Sequence, residues 1–144
     1  MTITNSSMKR LLRHGFFPVK NFLFSLFLVV SVSACSQSQT SSGYKSVDNK
    51  TFAEKMKAQN VVILDVRTPE EYQSGHIPQA MLINFYDKDF SQRLDSLNKS
   101  KTYLVYCSKG GRSSKASELL AKKGFSNVLN LKNGFSDWDG AVEK

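Results

Sequence analysis

The chain has 144 residues, room for one ordinary domain and a terminal segment, and its 40% hydrophobic and 22% charged content excludes disorder along the whole length. The net charge of +8 points toward a polyanion partner, but Lys9, Arg10, Arg13 and Lys20 stand within the first 34 positions, where there is no acidic residue. Without these four, 16 basic groups face 12 acidic ones, a net of +4, and the remaining lysines are scattered without interleaved aromatics, so no nucleic-acid partner is expected.

Behind that basic stretch, Phe22 to Val32 form an apolar run of 11 residues. A spanning helix needs about 20, so the run fits the apolar core of a signal peptide instead. Val32-Ser33-Ala34-Cys35 follows, and it resembles the lipobox of bacterial lipoproteins, in which the cysteine is diacylated and becomes the mature N-terminus. Residues 1–34 are therefore read as a lipoprotein signal peptide, and initiation at Met8 would leave a leader of 27 residues. Residues 35–45 are read as the acylated Cys35 and a Ser- and Gln-rich flexible tether. Two acyl chains supply the stable membrane anchoring that one cannot. The expected location is the cell envelope, with the domain facing the periplasm or the cell exterior. If Cys35 carries lipid, Cys107 is left as an unpaired, reactive thiol.

From residue 46 the pattern is globular. Asp48 or Asn49 can cap a helix over 51–59, with Phe52 and Met56 on one face. Val61-Val62-Ile63-Leu64 predicts a strand buried on both sides. Pro69 opens a short helix through Tyr72 that Gly75 closes. Residues 81–83 predict a short strand, 89–97 a helix with Phe90, Leu94 and Leu97 inward, and 103–106 a second fully buried strand ending at Cys107. A helix over 113–123 puts Ala116, Leu119 and Leu120 inward and stops at Gly124; residues 128–131 form the last strand. Strands alternating with helices imply an α/β fold, a mainly parallel sheet of four to five strands with helices on both faces.

The segment that carries chemistry is Cys107-Ser108-Lys109-Gly110-Gly111-Arg112-Ser113. It lies between a buried strand and a helix, and ligand sites of open α/β sheets sit beyond the carboxyl ends of strands. Gly110 and Gly111 permit positive φ, so successive amides can curl into an anion-holding nest, and the following helix adds its positive end. Lys109 and Arg112 add formal charge. Each feature favours thiolate over thiol, so Cys107 is expected to have a lowered pKa and to act as a nucleophile.

This loop resembles the active-site loop of the rhodanese family, the thiosulfate sulfurtransferases, and three further blocks are similar in order. They are Leu64-Asp65-Val66-Arg67-Thr68-Pro69-Glu70-Glu71-Tyr72, Gly75-His76-Ile77-Pro78-Gln79-Ala80 and Gly134-Phe135-Ser136-Asp137-Trp138, so that the resemblance spans about residues 46–142 of a domain read as 46–144. Gln79 and Asn133 stand where glycine is usual; neither is expected to touch the loop. The resemblance implies a sulfurtransferase working by ping-pong exchange through a persulfide on Cys107. The donor is a small anion such as thiosulfate, and the acceptor is cyanide or a thiol. It further implies that Ser108 to Ser113 hold the anionic sulfur while Lys109 and Arg112 attract the donor, in a chain read as a monomer. Phosphatases and arsenate reductases of this fold have one more residue between cysteine and arginine; here four residues separate Cys107 from Arg112. Two non-enzymatic readings share the same residues: a persulfide carrier or redox-sensing module, and an interaction domain, against which an intact cysteine loop weighs.

The remaining polar residues are read as scaffold. Asp65 is expected to accept hydrogen bonds from the loop and Arg67 to pair with Glu71, both supporting the site. His76 is read as structural, and Phe135 and Trp138 as a closing core cluster. No group of His, Cys, Asp and Glu has metal-ligand spacing, so neither metal nor cofactor is expected.

Overall fold

The computed structural model describes residues 43–144. The expectations for the signal peptide, for Cys35 and for most of the tether lie outside the described residues.

Five strands pair in the order β1-β5-β4-β2-β3: β1 is Lys45–Val47, β2 Val61–Asp65, β3 Met81–Leu82, β4 Thr102–Tyr106 and β5 Val128–Leu131. All four pairings are parallel, and Asp65 of β2 lies beside Tyr106 of β4. The α/β class and its parallel sheet thus stand as read from the sequence. β1 starts at Lys45, inside the segment read as tether. It joins the sheet by backbone pairing to β5, and an edge strand of three residues carries no hydrophobic alternation to announce it.

The strands alternate their side chains between two buried faces. On one face Leu64, Val105, Val128 and the helices α3 (Phe90–Asp95) and α4 (Gly111–Lys122) enclose Leu94, Tyr103, Ala116, Leu120 and Phe125. On the other, Ile63, Leu104 and Leu131 pack against Phe52 of α1 (Asn49–Met56), with Tyr72 of α2 (Pro69–Gln73), Phe135 and Trp138 closing the layer. The period of two within β2 and β4 is what lets these short apolar runs feed both clusters.

The helix termini follow from local chemistry. Asp48 caps α1, accepting from the Thr51 amide at 2.8 Å. α1 ends three residues earlier than the sequence suggests, because the chain must turn through Asn60, whose φ is 62°, to enter β2. Thr68 and Glu71 form a reciprocal capping box around Pro69 at the start of α2. Gln79 keeps a φ of 64°, which a glycine would adopt freely and a glutamine holds at a cost of about 1 kcal/mol. Among the described residues no helix is long and apolar enough to cross a membrane.

Chain order places the site. From β2 the chain leaves to β3 on one side; from β4 it leaves to β5 on the other. The carboxyl ends of β2 and β4 therefore flank the point where the winding reverses, the place where open parallel sheets leave a crevice. Asp65, Arg67 and Cys107 all lie there.

Candidate active site

Cys107 is the first residue beyond β4, and its side chain continues the α3/α4 face of the sheet, packed with Leu64, Val66 and Ala116. It is only 2% exposed. The strand's alternation carries the side chain inward, so the thiol sits in the core although the loop that follows it is polar and glycine-rich. The polar character comes from the backbone. Burial pushes the thiol up, but the Ser113 hydroxyl, 3.4 Å from Sγ, and the amides of Ser113, Lys109 and Gly110 outweigh it and hold Cys107 below the usual thiol range.

The loop owes this arrangement to where α4 begins. The helix starts at Gly111, two residues before the sequence suggests, so Ser113 falls in its first turn. Amides in a first turn have no intrahelical acceptor. Gly110, at the N-cap, has no side chain to offer, and Cys107 Sγ receives the Ser113 amide in its place. Only one of the two loop glycines uses left-handed geometry. Gly110 has a φ of 84°, and a Cβ there would stand 2.1 Å from the Lys132 carbonyl oxygen, whereas Gly111 is helical and a Cβ would meet nothing within 4 Å. The Ser113 hydroxyl also lies 3.1 Å from the Gly110 carbonyl. Its one proton serves either that oxygen or the sulfur, so charge on the sulfur draws it across.

A second layer fixes the loop from outside. Glu71 accepts two bonds of 2.7 Å from the Arg112 guanidinium, a further one from the Ser108 hydroxyl, and one of 2.9 Å from the Thr68 amide. The Arg112 contact holds the Glu71 carboxyl far below the usual carboxylate range in spite of partial burial, and Glu71 in turn raises Arg112. Arg112 is therefore committed to a carboxylate rather than open to an incoming anion. Lys109 is exposed and forms no ion pair among the described residues.

Two expectations about the neighbouring strand are corrected. Arg67 does not pair with Glu71; its Nη2 lies 2.7 Å from Asp65 Oδ2 and donates at 2.7 Å to the Gly75 carbonyl. Asp65 in turn accepts from the Arg67 side chain and amide, not from the 107–113 loop. Residues two apart leaving a strand share a side, which brings Arg67 back onto Asp65, while the capping box fixes Glu71 facing the loop. The Arg67 guanidinium lies over the Phe135 ring, 4.2 Å from its centroid. Burial and the adjacent Asp65 push the Tyr106 phenol well above its ordinary range, and its oxygen accepts from the Ile77 amide.

The C-terminal block also reaches the loop. The Phe135 amide donates to the Cys107 carbonyl at 2.7 Å and the Ser136 amide to the Ser108 carbonyl at 2.9 Å. Gly134 supplies the left-handed turn, with a φ of 72°, and a Cβ on it would stand 2.4 Å from the Cys107 carbonyl oxygen. Asn133 itself has no positive φ. With the loop carbonyls held from this side, its amides are left to face the sulfur. His76 stacks on Tyr72 at 3.7 Å and bridges to Glu143, a scaffold position. Trp138 packs edge-on against Phe52 at 5.8 Å.

Sequence reasoning missed Glu71 and Gly134 as loop supports. The Thr68-x-x-Glu71 spacing signalled a fixed carboxylate, but nothing in it named Arg112 as its partner. Tyr86 was missed as well. It sits in the turn after β3, 67% exposed, with the Arg112 guanidinium 5.5 Å from its ring centroid.

A buried, ionisable sulfur cradled by amides at the switch point of a small parallel sheet defines a class: a thiolate-based α/β domain. The comparisons with known proteins say which one. The model of the rhodanese-like domain matches residues 48–141, and the chain belongs to that family. It is 32% identical over 107 residues to the putative sulfur carrier protein YrkF of Bacillus subtilis, an alignment covering 74% of this chain and 57% of YrkF. It is 33% identical to the putative sulfurtransferase YtwF of the same organism, covering 69% of this chain and 94% of the other. The crystal structure of a rhodanese-like domain protein from Staphylococcus aureus superposes with a TM-score of 0.61 and 35% identity, over 69% of this chain and 96% of that one.

Proposed function

We propose that the domain is a sulfurtransferase that carries sulfane sulfur on Cys107, takes it from a thiosulfate-type donor, and passes it to a thiol or cyanide. The observation that carries this reading is the convergence of one hydroxyl and three amides on a single sulfur. Donors in that excess favour a negative charge on sulfur in both the thiolate and the persulfide. In the first half-reaction the Cys107 thiolate attacks the outer sulfur of thiosulfate, the bond between the two donor sulfurs breaks, and sulfite leaves with the electron pair. The enzyme-bound product is a persulfide anion, and charge is conserved. Cyanide then takes the outer sulfur as thiocyanate and Cys107 leaves as thiolate.

Intact mass after thiosulfate treatment should show one added sulfur atom, removed again by cyanide. Cys107→Ala should lose loading and at least about a thousandfold in turnover. Turnover retained in that variant overturns the proposal.

A carrier reading is favoured by one specific observation: Arg112 spends its charge on Glu71, which weakens the capture of small anions. In that case partner proteins load and unload Cys107. Loading by thiosulfate with no cyanide turnover selects the carrier. The sequence of residues 22–35 supports attachment to the cell envelope through lipid on Cys35. Cys35→Ala in the full chain should move the protein out of the membrane fraction; unchanged partition overturns the anchor.

A further inference from the structure

We infer that Tyr86 is a specificity-determining residue, and that its ring is the face on which an organic thiol rests when it takes sulfur from Cys107. The inference rests on the persulfide reading above.

Three observations carry it. First, Tyr86 is the most exposed of the large hydrophobic side chains among the described residues, at 67%, yet it is tethered. Its amide donates to Asn84 Oδ1 at 3.1 Å, and its ring meets Phe85 edge-on at 5.7 Å, while Phe85 packs on Phe90 at 5.1 Å and hangs from the Val66 carbonyl. Second, the ring lies against the guanidinium of Arg112, a residue of the Cys107 loop, at the carboxyl edge of the sheet. Third, that guanidinium is neutralised by Glu71, and Cys107 is nearly covered. An approaching molecule therefore meets an aromatic surface and a cancelled charge, with Lys109 as the exposed cation of the loop. Such a wall offers little to a bare inorganic anion. It suits a thiol with an organic body and a carboxylate, whose carbon skeleton covers the ring while the carboxylate approaches Lys109.

The step balances without an oxidant. The acceptor thiolate attacks the outer sulfur of the Cys107 persulfide, the bond between Sγ and that sulfur breaks, and Cys107 leaves as thiolate. The transferred sulfur carries its negative charge with it, and the product is the acceptor's persulfide anion.

The test measures kcat/KM for glutathione and for cyanide with thiosulfate as donor, and reads their ratio. In Tyr86→Ala the ratio of glutathione to cyanide should fall about fivefold, the worth of one aromatic contact, chiefly through KM for glutathione. Tyr86→Phe should restore the ratio to within about twofold, since the face remains. An unchanged ratio in the alanine variant overturns the inference, as does a phenylalanine variant as impaired as alanine. Failure of the underlying reading looks different: the unaltered protein would then gain no sulfur from thiosulfate in its intact mass.

Discussion

The neighbouring strands β2 and β4 end at the same edge of the sheet, and both ends are buried. At the end of β2, Asp65 and Arg67 are 0% and 3% exposed. At the end of β4, Cys107 is 2% exposed. Accessibility does not separate them; the balance of donors and acceptors does. At β2 one carboxylate and one guanidinium pair with each other, and the second Nη2 hydrogen goes to the Gly75 carbonyl. At β4 three amides and a hydroxyl share one sulfur, which as a neutral thiol is a poor acceptor. The first end is electrically closed and holds structure. The second is short of negative charge, and ionisation or a bound anionic sulfur supplies it.

Breaking the closed end should have the largest effect. Asp65→Ala strands the Arg67 guanidinium in the core and should cost about 3–5 kcal/mol, visible as a lower denaturation midpoint at unchanged m-value. A loss below about 1 kcal/mol would mean that the β2 end is hydrated and the contrast with β4 is wrong.

The ease with which β4 and its loop were read, against the misreading of the β2 end, has a physical basis. Chemistry at Cys107 is built from contiguous residues: a buried strand, a glycine that alone fits beneath the Lys132 carbonyl, and a helix start, all within ten positions. Local geometry then nearly determines where the amides point. The parallel sheet was legible for a similar reason, since the short apolar runs 61–64 and 103–106 each had to be buried on both faces. Ion-pair partners are different. Two arginines and two carboxylates lie within reach of one sheet edge, and sequence alone allowed Arg67 to take Glu71. What decided it was tertiary: the capping box turned Glu71 toward Arg112, and Gly75 offered Arg67 a carbonyl. The support from Gly134 to Ser136 was hidden because the contact spans nearly thirty residues of chain.

The open end can be sharpened with a smaller change. Ser113→Ala removes the hydroxyl beside Sγ and leaves the amides in place. Burial then weighs more, and the thiol should rise, with a smaller thiolate fraction at any pH below both values. The pH dependence of alkylation by iodoacetamide reads this directly. The sign for stability follows from the lowered native value. Thiolate contacts contribute fully above the unfolded thiol's pKa of about 8.5 and are lost as pH falls through the native one. The unaltered protein should therefore gain stability on raising pH across that window, and Ser113→Ala should gain less. An unshifted alkylation profile would assign the lowered pKa to the amides alone.

The smallest effect tests whether the β4 end is deliberately undercharged. Glu71→Gln keeps an oxygen for the Thr68 amide, turns an NH2 toward Ser108 in place of the second oxygen, and releases the formal charge of Arg112. One more positive charge beside the sulfur should speed loading by dianionic thiosulfate about two- to fivefold at low salt. That gain should vanish near 1 M salt, where the screening length is about 3 Å. Loading by a neutral organic persulfide should not share it. If thiosulfate loading slows equally at every ionic strength, Glu71 acts by anchoring Ser108 and Arg112, and its charge is incidental. If the gain appears and is screened by salt, the chain holds back an attraction for inorganic anions that its own arginine could provide. That is the electrostatic counterpart of an aromatic wall at the same mouth.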